Sequence, residues 1–256
     1  MTRRNVADVA FEGVEHLARS WADVGEELLD RWWQARVALG ELDRLVARTY
    51  RAVQGVFDDA NRNELRLLFD HHARYRILCV TRTRAMATGA QSINDRLCAR
   101  LRDPALASGR HRRRTPALAP GSPVIAERND YERQLYNGDQ GIVVRLDFAE
   151  GAGPQLAAVF AQGDAFQAFP LDSLGDISPS FAMTVHKSQG SEFDDVALVL
   201  PDADMPLLTR ELLYTAMTRA RRSVLIIGSQ DLLARAVSRG IERHSGVADK
   251  LRKPKQ

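Results

Sequence analysis

Apolar side chains recur at spacings of three and four along residues 28–46: Leu28, Leu29, Trp32, Trp33, Val37, Leu39, Leu42, Leu45 and Val46, with charged residues between them. Positions spaced in this way share one face of a helix, so a helical segment is expected over residues 1–75. Trp32 and Trp33 are by type suited to stacking on bases, but their spacing among Leu and Val favours buried packing. A further helix at 63–75 leads into Arg76-Ile77-Leu78-Cys79-Val80-Thr81, whose length and flanks are those of a parallel strand buried on both faces. Past Pro116, Pro120, Gly121 and Pro123 the period changes from helical to alternating. Runs at 122–126, 141–146, 157–160 and 165–169 read as short strands, separated by the turn signals Asn137-Gly138-Asp139 and 151–153. A small antiparallel barrel is expected there. Strand and helix alternation returns after Pro179, with strands at 181–185, 196–200 and 223–227 and a helix at 209–219. The pattern as a whole predicts an α/β layer of mainly parallel strands, interrupted by an inserted β module.

Composition narrows the setting. The 256 residues are 45% hydrophobic and 27% charged, as in ordinary globular proteins, and the net charge of +3 excludes both an acidic tail and a histone-like polycation. Two cysteines, Cys79 and Cys98, are too few for a disulfide framework or a four-ligand zinc site, and a reducing, cytoplasmic setting is expected. No apolar run approaches the roughly 18 residues of a membrane span. Asp8 and Glu12 stand where a secretory signal would be apolar, so neither insertion nor export is expected. Charge is distributed unevenly: residues 76–118 carry +8 and residues 119–177 carry −6. The swing coincides with the Pro and Gly breakers and marks three parts: 1–75, then 76–118 continued by 178–256, and the insertion 119–177.

Two clusters carry candidate chemistry. Thr184-Val185-His186-Lys187-Ser188-Gln189-Gly190-Ser191-Glu192-Phe193 follows one expected strand and precedes another. A polar loop at a strand's carboxyl end lies where open α/β sheets bind ligands, and its side chains suit phosphate and sugar oxygens; a plain surface loop would look similar. The second cluster, Leu213-Tyr214-Thr215-Ala216-Met217-Thr218-Arg219-Ala220-Arg221-Arg222, ends a helix with three arginines. These suit the negative end of a helix dipole, and an arginine aimed across a cleft equally suits a phosphate, whose oxygens its planar fork matches. Periodicity alone does not choose.

Together the clusters are far more specific. They resemble motifs V and VI of superfamily 1 helicases, and the wording TVHKSQGSEF with RELLYTAMTRAR is most similar to the RecD branch, the alpha subunit of exonuclease V and its relatives. Arg128-Asn129-Asp130 and Leu135-Tyr136-Asn137-Gly138-Asp139-Gln140-Gly141 resemble the stretch leading into that family's SH3-like insertion, and the strand at 77–81 with Asn94 resembles the motif IV region. The resemblance implies a RecA-like parallel-sheet helicase domain 2 with a small SH3-like β-barrel insertion and a helical N-terminal segment. It implies an arginine finger at Arg219, a nucleotide side at Gly190, Glu192 and Arg82, and contacts to single-stranded DNA from Thr184, His186, Lys187 and Gln189. Tyr214 matches a motif position, and a packing role alone is the other reading of it. For the motif IV arginine, Arg82 follows the strand most closely while Arg84 fits the spacing to Asn94 better, and Arg82 is preferred.

What is missing matters as much. A complete helicase of this kind needs a Gly-rich phosphate loop ending in Gly-Lys-Ser/Thr and an acidic strand end for magnesium, yet these residues hold no Gly-Lys dipeptide. The resemblance is therefore to the carboxyl-terminal half, and ATP and Mg2+ are expected only when a separate ATP-binding half, or RecBC-like subunits, complete the site. Turnover and DNA unwinding in recombination and repair are not expected from this chain alone. A stand-alone DNA-binding or protein-interaction module is the alternative. The basic run at 110–114 is suited to phosphate contacts or to a solvated loop.

Overall fold

A computed structural model describes residues 5–38, 40–53, 55–101, 118–148 and 153–240. The basic run at 110–114 and the Lys/Arg-rich tail from 250 to 255 lie outside the described residues. In chain order the elements are β1 (Gly13–Leu17), α1 (Trp21–Trp32), α2 (Asp43–Ala47), β2 (Thr49–Arg51), α3 (Asp59–Ala73), β3 (Tyr75–Cys79), α4 (Ala90–Arg100), β4 (Pro123–Ala126), β5 (Gln140–Asp147), β6 (Gln155–Gln162), β7 (Ala165–Pro170), β8 (Ile177–Pro179), β9 (Ala182–Thr184), β10 (Phe193–Val199), α5 (Arg210–Met217), β11 (Ala220–Ile227) and α6 (Gln230–Ser238).

The first sheet is parallel, in the order β1-β11-β10-β3-β9. Its strands alternate between two cores. Ile77, Cys79, Ala197, Val199, Leu225 and Ile227 face a cluster with Leu28, Leu29 and Trp32 of α1 and Ile93 and Leu97 of α4. Leu78, Val196, Leu198, Val224 and Ile226 face the opposite cluster, with Leu212, Leu213 and Ala216 of α5 and Leu232 and Ala236 of α6. Helices on both faces explain why these strands read as continuous apolar runs rather than as alternation. The result is a three-layer α/β arrangement. Trp32 is buried, edge-on to Phe11 at 5.6 Å, and Trp33 packs against the same core beside Phe181, so the indoles serve packing.

The second sheet runs β7-β6-β5-β4-β8 with antiparallel neighbours, and β2 joins it beside β5. Its strands match the expected runs, and Gly138, with φ +104°, makes the turn signalled by Asn137-Gly138-Asp139. The chain leaves the parallel sheet after β3 and α4, builds β4 to β8, and returns as β9.

Residues 1–75 depart from the purely helical expectation. β1 pairs with β11 as an edge of the parallel sheet, and β2 pairs in parallel with the end of β5. This segment is therefore woven into both sheets. The long helical pattern is also broken: α1 passes through a π-helical turn at Trp33–Val37, and the chain turns at Gly40, with φ +53°, before α2 begins. A left-handed backbone angle is incompatible with a continuing helix. The helix expected at 63–75 starts earlier, because Asp58 caps it by accepting from the Asn61 N–H at 2.8 Å.

Two buried polar side chains hold the sheets in place. Arg76 of β3, 1% exposed, donates to the carbonyls of Ser180 and His72 and to Gln140 Oε1 of β5, with its guanidinium 4.9 Å from the Phe193 ring. It thus ties the parallel sheet to the antiparallel one. Asn94 of α4 acts as a peptide group would along the outer edge of β9, donating to the Pro179 and Ala182 carbonyls and accepting from the Ala182 N–H, each at 2.8 Å. Replacing Asn94 by Leu strands all three backbone groups without water. We expect a loss of about 3 kcal/mol in urea unfolding; a loss below about 1 kcal/mol would show that β9 holds its place without this side chain.

Candidate functional site

The loop 185–192 begins where β9 ends. Thr184 is the last residue of β9, opposite Cys79 of β3, and its Oγ1 accepts from the Lys187 N–H at 3.3 Å. His186, Lys187 and Ser188 form a single 3-10 turn, fixed by the buried Ser188 hydroxyl donating to the Val185 carbonyl at 2.7 Å. His186 and Gln189 are exposed. Gly190 then takes φ +85°, which a side chain at this position would resist even though open space surrounds it. The loop closes onto β10 through the Phe193 N–H, which donates to the Arg219 carbonyl at 2.8 Å.

This route has a consequence that the sequence pattern does not reveal. β9 and β10 are both parallel to β3, so Thr184 lies at the carboxyl end of the sheet and Phe193 at its amino end. The polar loop therefore crosses the height of the sheet. Thr184 to Lys187 sit at one end, while Gly190 to Glu192 sit at the other, beside the residues that follow α5.

At the amino end the three arginines separate. Arg219, half-buried, donates through Nε to the Thr215 carbonyl and through Nη1 to the Ser191 carbonyl, both at 3.1 Å. It lies against the loop and satisfies a helix-end carbonyl at once, so the two sequence readings of this arginine are both visible. Among the described residues it has no carboxylate within 4.0 Å. Arg221, by contrast, pairs with Glu192 at 2.9 Å. Arg222 holds Asp195 through Nε at 3.1 Å, together with the Ser223 hydroxyl at 2.6 Å and Arg36 at 2.8 Å. Burial pushes the Asp195 carboxyl up, but the hydrogen bonds from Arg222 and Ser223 and the charges of Arg36 and Arg222 outweigh it and hold the group below the usual carboxylate range. Arg221 and Arg222 thus have acidic partners and Arg219 does not. Tyr214 does not pack inside the core; it is 70% exposed on α5.

At the carboxyl end Arg82 and Arg84 also separate. Arg84 forms a two-pronged pair with Asp95 of α4, at 2.7 and 3.3 Å, and that hydrogen bond raises its pKa further. Arg82 reaches Glu127 Oε1 at 3.3 Å, and Lys187 reaches Oε2 of the same carboxylate at 2.8 Å. Glu127 directly follows β4 of the antiparallel sheet. The structure therefore groups Arg82 with Lys187 at one end of the sheet, and Gly190, Glu192 and Arg219 at the other. Glu127 carries no signal in the sequence: it is one acid in an acidic module, and its partners come from two distant loops.

Both motif clusters thus lie on one face of the parallel sheet, where Val185 and Phe193 pack with Leu212, Leu213 and Ala216 of α5. Residues 179–227 match the UvrD-like helicase C-terminal domain, and the chain carries that domain. The chain is homologous to the carboxyl-terminal part of RecD-type superfamily 1 DNA helicases. It is 44% identical over 142 residues to the RecBCD enzyme subunit RecD of Mycobacterium tuberculosis, covering 54% of this chain and 23% of that protein. It is 37% identical over 134 residues to the ATP-dependent RecD2 DNA helicase of Deinococcus radiodurans, covering 52% of this chain and 18% of that protein. The chain thus matches less than a quarter of the length of these relatives. Among solved structures, the Pif1 helicase from Bacteroides in complex with ADP-AlF3 and single-stranded DNA aligns with a TM-score of 0.42 and 17% identity, over 88% of this chain and 52% of that one. No described helix is long and apolar enough to cross a membrane.

Proposed function

We propose that this chain supplies the motif IV to VI half of an ATP-dependent RecD-like DNA helicase. In this reading β3, α4 and β9 to α6 form the second RecA-like domain, β4 to β8 its SH3-like insertion, and a separate ATP-binding half or RecBC-like subunits provide the opposite wall of the nucleotide cleft. Arg219 acts as the arginine finger, and Gly190 and Glu192 line the nucleotide side, whereas Arg82, which the resemblance assigns there, stands with Lys187 at the opposite end of the sheet and is read with the DNA-contacting residues. Thr184, His186, Lys187 and Gln189 contact the backbone of single-stranded DNA. The observation that carries the reading is Arg219: a guanidinium held against the motif V loop by backbone carbonyls, with no carboxylate among the described residues to neutralise it, beside two arginines that each have one. A cation kept in place without a counter-charge is suited to a transferring phosphoryl group.

The described residues contain no group of three or more His, Cys, Asp or Glu able to hold a metal ion. Magnesium, in this reading, is held by the completing half together with the ATP phosphates. What this chain contributes is charge and position: Arg219 toward the γ-phosphoryl oxygens, and the turn at Gly190 as a close backbone approach.

The test is reconstitution. Mixed with a separately expressed helicase half that carries a phosphate loop, the chain is expected to give ATP hydrolysis stimulated by single-stranded DNA, with neither component active alone. A stable complex of the two that shows no hydrolysis would remove the reading.

A further inference from the structure

We propose that Glu127 is an internal stand-in for a DNA phosphate, holding Arg82 and Lys187 in a resting arrangement that single-stranded DNA must displace. This rests on the reading above that the Thr184 to Lys187 end of the loop meets the DNA backbone. The geometry is that of a bridging anion: the two cations take different oxygens of one carboxylate, Arg82 on Oε1 at 3.3 Å and Lys187 on Oε2 at 2.8 Å. A phosphodiester presents the same feature, two charged oxygens on one centre, to the same pair of cations.

Position and charge agree. Glu127 is 18% exposed and Lys187 24%, whereas Arg82 is 56% exposed, so an incoming phosphate meets Arg82 first. Glu127 itself is fixed by its backbone N–H, which donates to the Asp176 carbonyl at 2.8 Å where β4 pairs with β8. The backbone anchor limits how far the carboxylate can follow the cations when they turn to a ligand. The insertion that carries it has a charge of −6 over residues 119–177, and through Glu127 this acidic module meets Lys187 of the polar loop and Arg82. Partly exposed ion pairs of this kind are weak enough to be exchanged for a phosphate contact. The expected effect is a lowered resting affinity for single strands, set by the insertion and acting on the loop.

The experiment measures binding of the full 256-residue chain to a fluorescent oligo-dT of twenty nucleotides across a salt series. Glu127→Gln and Glu127→Ala are compared with the wild type and with Asp176→Asn. The last variant removes the same charge from the same module at a carboxylate that pairs only with Arg128 among the described residues, at 3.7 Å. Both Glu127 variants are expected to bind about fivefold more tightly at low salt, with a log–log salt slope steeper by about 0.7 for each cation released onto a phosphate. Asp176→Asn is expected to gain less and to keep the wild-type slope. Should the Glu127 variants match Asp176→Asn, or bind more weakly than wild type, the stand-in proposal is overturned. His186→Ala separates this from failure of the DNA reading: if it weakens wild-type binding while the Glu127 variants show no gain, the interface stands and the clamp does not. If none of the proteins binds the oligonucleotide, both fall together.

Discussion

Arg219→Ala, combined with an ATP-binding half that reconstitutes activity, is expected to leave the complex and its nucleotide affinity nearly intact and to lower ATP turnover by about 10³ to 10⁵-fold. The size follows from what an arginine finger does. It meets charge that develops only as the γ-phosphoryl group transfers, so its removal costs the transition state and not the ground state. Arg219→Lys keeps the charge but loses the planar fork and is expected to recover only part of the rate. Arg221→Ala is the comparison, because its side chain already pairs with Glu192 and both are exposed; turnover should fall far less. Single-turnover hydrolysis with the complex pre-formed is the measurement. A rate for Arg219→Ala within tenfold of the wild type would show that some other group stabilises the transferring phosphoryl. Because Arg219 also binds the Thr215 and Ser191 carbonyls, melting of the variant is measured beside its kinetics, and a well-folded inactive protein is the expected result.

The contrast among the three arginines also shows what the chain alone makes legible. That a loop rich in polar residues and a helix ending in arginines belong together came from their resemblance to motifs V and VI and not from residue type or periodicity, while β3 was readable because a strand buried on both faces needs an uninterrupted apolar run. Which arginine stays free of carboxylates was not. That depends on Glu192 and Asp195, which reach Arg221 and Arg222 only after β10 and β11 pair. Between Arg82, nearer the strand, and Arg84, better spaced to Asn94, the sequence offered two signals that disagree, and Asp95 of α4 draws Arg84 aside. β1 left no strand signal because Gly13-Val14-Glu15-His16-Leu17 is a mixed edge strand, with Val14 69% exposed, whose conformation comes from pairing with β11. Glu127 lay beyond any local pattern, since its role exists only through contacts between the two sheets.

Acid is expected to destabilise the fold from about pH 6.5 downward, well above the range in which carboxylates protonate, and the cause lies at the same junction between the sheets. His72, at the end of α3, is enclosed beside His71, Phe181 and Arg76. Burial, followed by the charges of His71 and Arg76, lowers its pKa to about 3, against which a hydrogen bond with the Gly121 backbone works only partly. His71 is shifted in the same direction, first by burial. In the unfolded chain these imidazoles take up protons near pH 6.5, while the folded protein keeps His72 neutral. Stability is therefore fully present above pH 6.5 and is lost as pH falls from there toward 3. The slope approaches about 1.4 kcal/mol per pH unit for one such group, or about 2 kcal/mol by pH 5. Asp195 contributes in a lower window: its pKa is depressed, so its stabilisation persists until pH falls below the ordinary carboxylate value. Urea unfolding at pH 7.5, 6.5, 5.5 and 5.0 should show the decline, and His72→Gln, which keeps a donor for the Gly121 contact without a titrating ring, should flatten most of it. Equal wild-type stability at pH 7.5 and pH 5 would mean that water or a backbone carbonyl reaches the His72 imidazolium, and the junction built around Arg76 would then be far wetter than its 1% exposure indicates.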